Sequence, residues 1–263
     1  MEILVCARRV PDTSENEIQL NSAGNDIERD DLVYSINEWD NYAVEEAIQI
    51  VSRVGGSVTV VTIGSEEDEE ILRREMAMGA NHGVLLSDEA FNGSDGKGIA
   101  TILKAFVQKN HYDLILTGVQ AEDGGAQVGG MLAALLDYPF ASLVNSIEVL
   151  EGRKLKISRE IEGGNKEISE IDLPCVLSIQ TGINEPRYVG MRGIRQVASI
   201  PIPSFGAAEL GVSAGAVGLG AAKVKRVDYF VPVQGKGAHI LEGSQEEIID
   251  ELLELVKAKG GLN

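Results

Sequence analysis

The sequence predicts an α/β fold of the doubly wound kind, a parallel sheet with helices on both faces. Three observations predict it. Apolar strand patterns alternate with helix patterns of ten or more residues up to Pro139. Several of the strands are continuous apolar runs, as in SVTVVTIG, which suits strands buried on both faces. The helices carry start and stop signals, with acids in a first turn and paired glycines after a last one.

The elements follow in order. ILVCARRV (3–10) reads as a first strand, and DNYAVEEAIQIVSRV (40–54) as a helix with Ala43, Ala47, Ile50 and Val51 on one face. Gly55 and Gly56 end that helix, and SVTVVTIG (57–64) is the second strand. Ser65 opens the helix SEEDEEILRREMAMGA, whose first turn is crowded with acids. GVLLSD, GIATILKAFVQKN, DLILTG and AQVGGMLAALLD continue as strand, helix, strand and helix. After Pro139 the pattern changes to short, partly alternating segments separated by EGR and EGGN, read as antiparallel hairpins over about 144–172. LPCVLSIQTG returns to a buried strand. From Ile200 to Gly235 the chain is rich in Pro, Gly and Ala and reads as a reaching arm. Ser244 and Glu247 then form a capping box for a last helix, closed by Gly260 and Gly261. The division expected is an α/β nucleotide-binding domain over 1–199 and an arm plus helix over 200–263.

Composition narrows the function. With 44% apolar residues a full core is available, and no apolar run reaches the roughly 20 residues of a membrane helix. The start of the chain reads as a strand rather than an export signal, so a cytoplasmic protein is expected. A formal net charge of −18 argues against nucleic acid, which is bound by Lys and Arg neutralising phosphates. Cys6 and Cys175 sit in separate apolar runs, as buried thiols rather than a disulfide framework or zinc site. The histidines are scattered, and no nucleophile–base pair or metal cluster stands out.

In an open parallel sheet, ligands bind at the carboxyl ends of the strands, where strand order reverses. Four stretches belong on that edge: 6–11, 63–65, 118–129 and 180–187. Neither the G-x-G-x-x-G fingerprint nor a Walker lysine motif is present. The third stretch, in TGVQAEDGGAQVGG, joins a strand to a helix with glycines that let backbone N–H groups crowd one spot. That geometry takes phosphate without a positive side chain, and Gln127 adds an amide donor. A plain strand–helix turn is the competing reading. Two other stretches stand out: SINEWDNYAVEEA with the only tryptophan, Trp39, and INEPRYVGMRGIRQV, where Arg187 can tie back to Glu185 and the arginines Arg192 and Arg195 suit an acidic partner.

Together VCARRVPDT, NEWDNYAVEEA, AMGANHGV, TGVQAEDGGAQVGG, SREIEGG and LPCVLSIQTGINEPRYVGM resemble the beta subunit of electron transfer flavoprotein over most of the chain. The resemblance implies a heterodimer with an alpha subunit that holds the electron-carrying FAD. It implies an adenine nucleotide in this chain: AMP, or a second FAD in electron-bifurcating members, which oxidise NADH there. The nucleotide-side residues it implies are Cys6, Ala7, Asn37, Trp39, Asp40, Ile63, Gly64, Gln120, Ala121, Asp123, Gly124, Gly125, Gln127, Val128 and Gly129. Asp123 and Gln127 would line that site, Glu122 would face solvent, and Trp39 would lie near the alpha-subunit flavin. The resemblance makes the NEPRY loop, with Glu185, Pro186, Arg187, Tyr188 and Met191, the docking loop for an acyl-CoA dehydrogenase-type partner. Met191 would enter the partner's pocket, and Arg187 and Tyr188 would support the loop. The C-terminal arm and helix would pack on the alpha subunit.

Departures from the family pattern are Asn37-Glu38 in place of N-P, a glycine-rich loop one residue shorter without its second Asp, and Arg195–Ser199 in place of a lysine run. Asp40 and A-Q-V-G are closer to the bifurcating or anaerobic members. The rival reading is an ATP-binding homodimer of the universal stress type, whose adenine nucleotide alpha hydrolase-like sheet is of the same kind. It leaves NEPRY and the arm unexplained. An inactive scaffold that binds nothing is a further rival. The chain is expected to be an electron-carrier subunit with no bond-making residues of its own.

Overall fold

A computed structural model describes residues 1–121, 124–233, 235 and 237–261. Strand β1 (Glu2–Cys6) is buried at Ile3, Leu4 and Val5. The strand expected over 3–10 divides here. The Arg8 N–H donates to Asp40 and its carbonyl accepts from Asn37 N–H, so neither serves a sheet neighbour. β2 (Arg9–Pro11) then pairs antiparallel with β3 (Tyr34–Ile36) as a separate small sheet.

The remaining elements alternate as expected. They are α1 (Glu38–Val54), β4 (Ser57–Ile63), α2 (Glu69–Met78), β5 (His82–Leu86), α3 (Gly96–Val107), β6 (Leu114–Gly118) and α4 (Val128–Leu136). β7 (Phe140–Leu150), β8 (Lys154–Ile161), β9 (Asn165–Asp172) and β10 (Cys175–Ile179) follow, then α5 (Met191–Val197), β11 (Ser204–Phe205), α6 (Ala207–Leu210), α7 (Gly218–Ala221) and α8 (Gln245–Ala258).

The large sheet has nine strands in the order β11-β5-β4-β1-β6-β10-β7-β8-β9. Pairings from β11 through β7 are parallel, and β7-β8-β9 are antiparallel. Period-two alternation sends side chains to two cores. Ile3, Val5, Val60 and Leu116 meet Ala43, Ala47 and Leu72 of α1 and α2 on one face. Leu4, Val61, Ile115 and Val176 meet Ile102, Phe106 and Leu132 of α3 and α4 on the other. From β1 the chain builds outward through β4 and β5, then crosses to β6 on β1's other side, so strand order reverses between β1 and β6.

Strand β7 runs from the parallel sheet into the hairpin region. Phe140 and Ala141 of β7 pair with β10, and pairing with β8 starts at Val144. Leu143 adopts φ 58° just before Val144, which pairs at once with Ile179 of β10 and Arg159 of β8 as the registers shift. The stretch after Ile200 also differs from a free arm in its first part. β11 extends the sheet beside β5, and Leu210, Val217 and Ala222 are buried. Backbone N–H groups of Ala207, Gly218 and Lys223 donate to Asp88, Ser94 and Asp95.

Contacts group Met1–Ile18 with Arg29–Val227, and Gln19–Glu28 with Asp228–Asn263. In the second unit the capping box holds: Glu247 N–H donates to Ser244 Oγ, and Ser244 N–H to Glu247 Oε2. α8 leaves Ile249, Leu252, Leu253 and Leu255 at 40–50% exposure. Among the described residues no helix is long and apolar enough to cross a membrane.

Candidate functional site

The edge where strand order reverses is built by the first turn of α1. Asn37 precedes the helix; its N–H donates to Arg8 O, and its Nδ2 donates to Gln120 O, both at 2.8 Å. One turn on, Asp40 is buried, and its two carboxylate oxygens accept from Arg8 N–H and Gly118 N–H at 2.9 Å each. One carboxylate thus joins the carboxyl ends of β1 and β6. Burial pushes Asp40 up to about 7, against the Asn37 amide and the Gly118 and Arg8 N–H groups, which favour the charged form. The contact is close because residue 118 is glycine: a Cβ there would lie 2.6 Å from Trp39 Cβ.

The glycine-rich stretch continues from Gly118. Ala121 and Gly124 form an isolated antiparallel bridge, and Gln127 leads into α4 without a side-chain cap among the described residues. Glu122 and Asp123 lie outside the described residues. Gly129 lets α4 settle on the hydroxyl pair Thr117–Ser178, which are 2.9 Å apart and which any Cβ at 129 would strike. Gly130 packs on the Phe140 ring. The Gln127 side chain is turned toward α3, where a Cβ on Gly96 would stand 2.9 Å from its Oε1.

Sequence reasoning passed over Arg8. Its Nη1 would lie 3.4 Å from a Cβ on Gly124, which puts a guanidinium beside the glycine backbone. Its neighbour Arg9 is engaged elsewhere, 4.0 Å over the Tyr34 ring and 3.0 Å from Glu67. The signal in the sequence was the Arg-Arg pair closing the first strand. On the next strand, the turn at Ile63 and Gly64 is closed by Ser65 N–H and Oγ donating to Asp68, at 2.7 and 3.1 Å. Cys6 is half-buried and Ala7 buried, and burial pushes the Cys6 thiol up. The structure therefore brings Cys6, Ala7, Asn37, Trp39, Asp40, Ile63, Gly64, Gln120 and Ala121 to one edge, with Gly124 and Gly125 following, while Gln127 turns toward α3, Val128 packs on the core and Gly129 rests on Thr117 and Ser178.

The segment after β10 runs along the same helix. Trp39 Nε1 donates to Gln180 Oε1 at 3.2 Å, and Asn184 Nδ2 to Tyr42 O and Glu46 Oε2 at 3.1 and 3.2 Å. Arg187 is not tied to Glu185. Its Nε and Nη2 donate to Glu45 at 2.8 Å each, a fork-to-carboxylate pair on α1. Burial pushes Glu45 up, but the Arg187 and Gln49 hydrogen bonds outweigh it and hold the carboxyl below the usual range. Beyond this pair, Glu185 is exposed, Pro186 half-buried, Tyr188 94% exposed and Met191 70% exposed. The Tyr188 ring therefore faces outward rather than bracing the loop.

Comparison with known proteins agrees with this architecture. The family described as Electron transfer flavoprotein domain matches residues 25–210. The electron transfer flavoprotein subunit beta of Methylophilus methylotrophus is 34% identical over 97% of this chain and 98% of its own. The caffeyl-CoA reductase-Etf complex subunit CarD of Acetobacterium woodii is 35% identical over 98% of this chain and 99% of its own. The acryloyl-CoA reductase electron transfer subunit gamma of Anaerotignum propionicum is 31% identical over 98% and 99%.

Proposed function

The chain belongs to the electron transfer flavoprotein family as a beta subunit, and from that premise we propose that it binds an adenine nucleotide at the β1–β6 edge while pairing with an FAD-bearing alpha subunit. The observation that carries this reading is the position of the glycine-rich stretch. It lies at the reversal of strand order, opens a helix with no side-chain cap among the described residues, and has the Arg8 guanidinium beside Gly124.

These residues fit a phosphate-bearing group. Backbone N–H groups at the start of α4 and Arg8 would hold the phosphate, with Gln120, Ala121 and the 63–64 turn beside the rest of the nucleotide. In the AMP form the nucleotide is structural. Flavin, when bound, supplies the electron chemistry; this chain's residues bind, orient and present. A partner subunit is supported by the apolar surface of the second unit, where Phe230, Val231, Val233 and Ile240 are each more than 70% exposed. The loop ending at Met191 serves as the docking site for an acyl-CoA dehydrogenase-type partner. The names of relatives in reductase complexes fit such a role.

Nucleotide counting tests the proposal. The chain is purified with its co-expressed partner and denatured, and released AMP and FAD are counted per heterodimer. One FAD with one AMP is expected. Two FAD would select a bifurcating form, and no nucleotide at all would overturn the reading.

A further inference from the structure

Two clamps bracket the exposed span that follows β10. At its front the Glu45 carboxylate, with its side chain 4% exposed, accepts both donors of the Arg187 fork. At its rear Arg73 of α2 donates from Nη1 to the carbonyls of Val197 and Ile200, at 3.1 Å each, while Glu69 holds its Nη2 at 3.1 Å. Between the clamps Tyr188, Met191, Arg192 and Arg195 are all exposed. α5 is also kept close to α2, since a Cβ on Gly193 would lie 3.5 Å from Ala77 O.

A connection with no task beyond joining β10 to β11 needs neither clamp. Both use planar guanidinium geometry, which fixes direction as well as distance. The buried member of the front pair sits on α1, a helix of 17 residues whose own position is fixed by Asn37 and Asp40. The span thus presents Tyr188, Met191, Arg192 and Arg195 to solvent, rests Val189 on the core, and is tied at both ends to core helices.

We infer that Glu45 and Arg73 are positioning residues for docking: they hold the 188–196 span in one place before a partner arrives, so that Tyr188 and Met191 are presented ready-formed. A preformed loop gives up less freedom on binding, which favours fast and selective contact. The inference rests on the reading of this loop as a docking site.

The test uses the full chain with a nitroxide label at Met191→Cys, and a control label at Ile168→Cys on β9. Glu45→Gln and Arg73→Gln should each shorten the label's correlation time at 191 by about twofold or more, toward free-loop motion, and leave the label at 168 unchanged. An unchanged spectrum at 191 in folded Glu45→Gln overturns the inference. Should that variant fail to accumulate, Arg187→Lys keeps the charge, loses the fork, and is read by the same criterion. The docking reading has its own readout: unlabelled Met191→Ala should slow electron exchange with a purified acyl-CoA dehydrogenase. Normal exchange there removes the docking role and leaves the label result standing.

Discussion

The β1–β6 edge and the bracketed span after β10 are both surface features anchored to α1, yet they are made in opposite ways. The edge is made by leaving side chains out. Gly118 and Gly129 allow contacts that a single Cβ would obstruct, and the backbone itself is presented. The span is made by fastening side chains down, with a buried carboxylate and two guanidinium groups holding a loop that turns Tyr188, Met191, Arg192 and Arg195 outward. A site built from backbone tolerates no added atom; a site built from clamps tolerates no lost one.

Three substitutions sharpen or break that contrast. The largest effect is expected at Glu75 of α2, which is fully buried with neither carboxyl oxygen partnered among the described residues. Burial raises it from 4.5 to about 8, with Arg74 pulling down and Asp40 and Glu45 adding to the rise. The stability held by its protonated form is complete below pH 4.5 and is lost as pH rises through about 8. Glu75→Gln does not titrate, so its stability relative to the parent should grow across that range, by on the order of 5 kcal/mol at the alkaline end. Denaturant melts at acid and alkaline pH check it, and a pH-independent difference would mean that Glu75 is charged in the fold.

Next, Arg187→Ala leaves the buried Glu45 carboxylate without its cation, with Gln49 and the N–H of residue 187 as its remaining donors, and should cost about 3 kcal/mol. Loss of less than a third of that would make the clamp an ordinary surface pair. The smallest effect is expected from Gly129→Ala, which pushes α4 off the Thr117–Ser178 pair at about 2 kcal/mol. It should also lower nucleotide content, whereas Arg187→Ala should not. Equal nucleotide loss in both would erase the distinction between the two regions.

The same contrast explains what the sequence made legible. The parallel core was readable because alternating apolar runs and amphipathic helices are local signals, and the glycine-rich stretch was readable because a glycine's role lies in its own missing side chain. The clamp was not: Arg187 and Glu45 are 142 positions apart, and nothing near Arg187 excludes the adjacent Glu185 as its partner. Asp40 likewise reads as one acid among several at a helix start. Its bonds to Arg8 and Gly118 exist only once β1 and β6 are side by side. The break after Cys6 went unread for the same reason, since the bonds that end β1 come from α1. β11 is a two-residue strand, too short for any periodic pattern, and it exists because β5 offers an edge.

Asp40 carries one more consequence. A parallel sheet is easiest to wedge open where its strand order reverses, because no connecting helix bridges the two neighbours there. A single carboxylate spanning the N–H groups of Arg8 and Gly118 ties the two strand ends together at that point from inside. On the nucleotide-binding reading proposed above, adjustment to the size of a bound nucleotide falls to the loop beyond Gly118, and the length of that loop is what would govern which nucleotide fits.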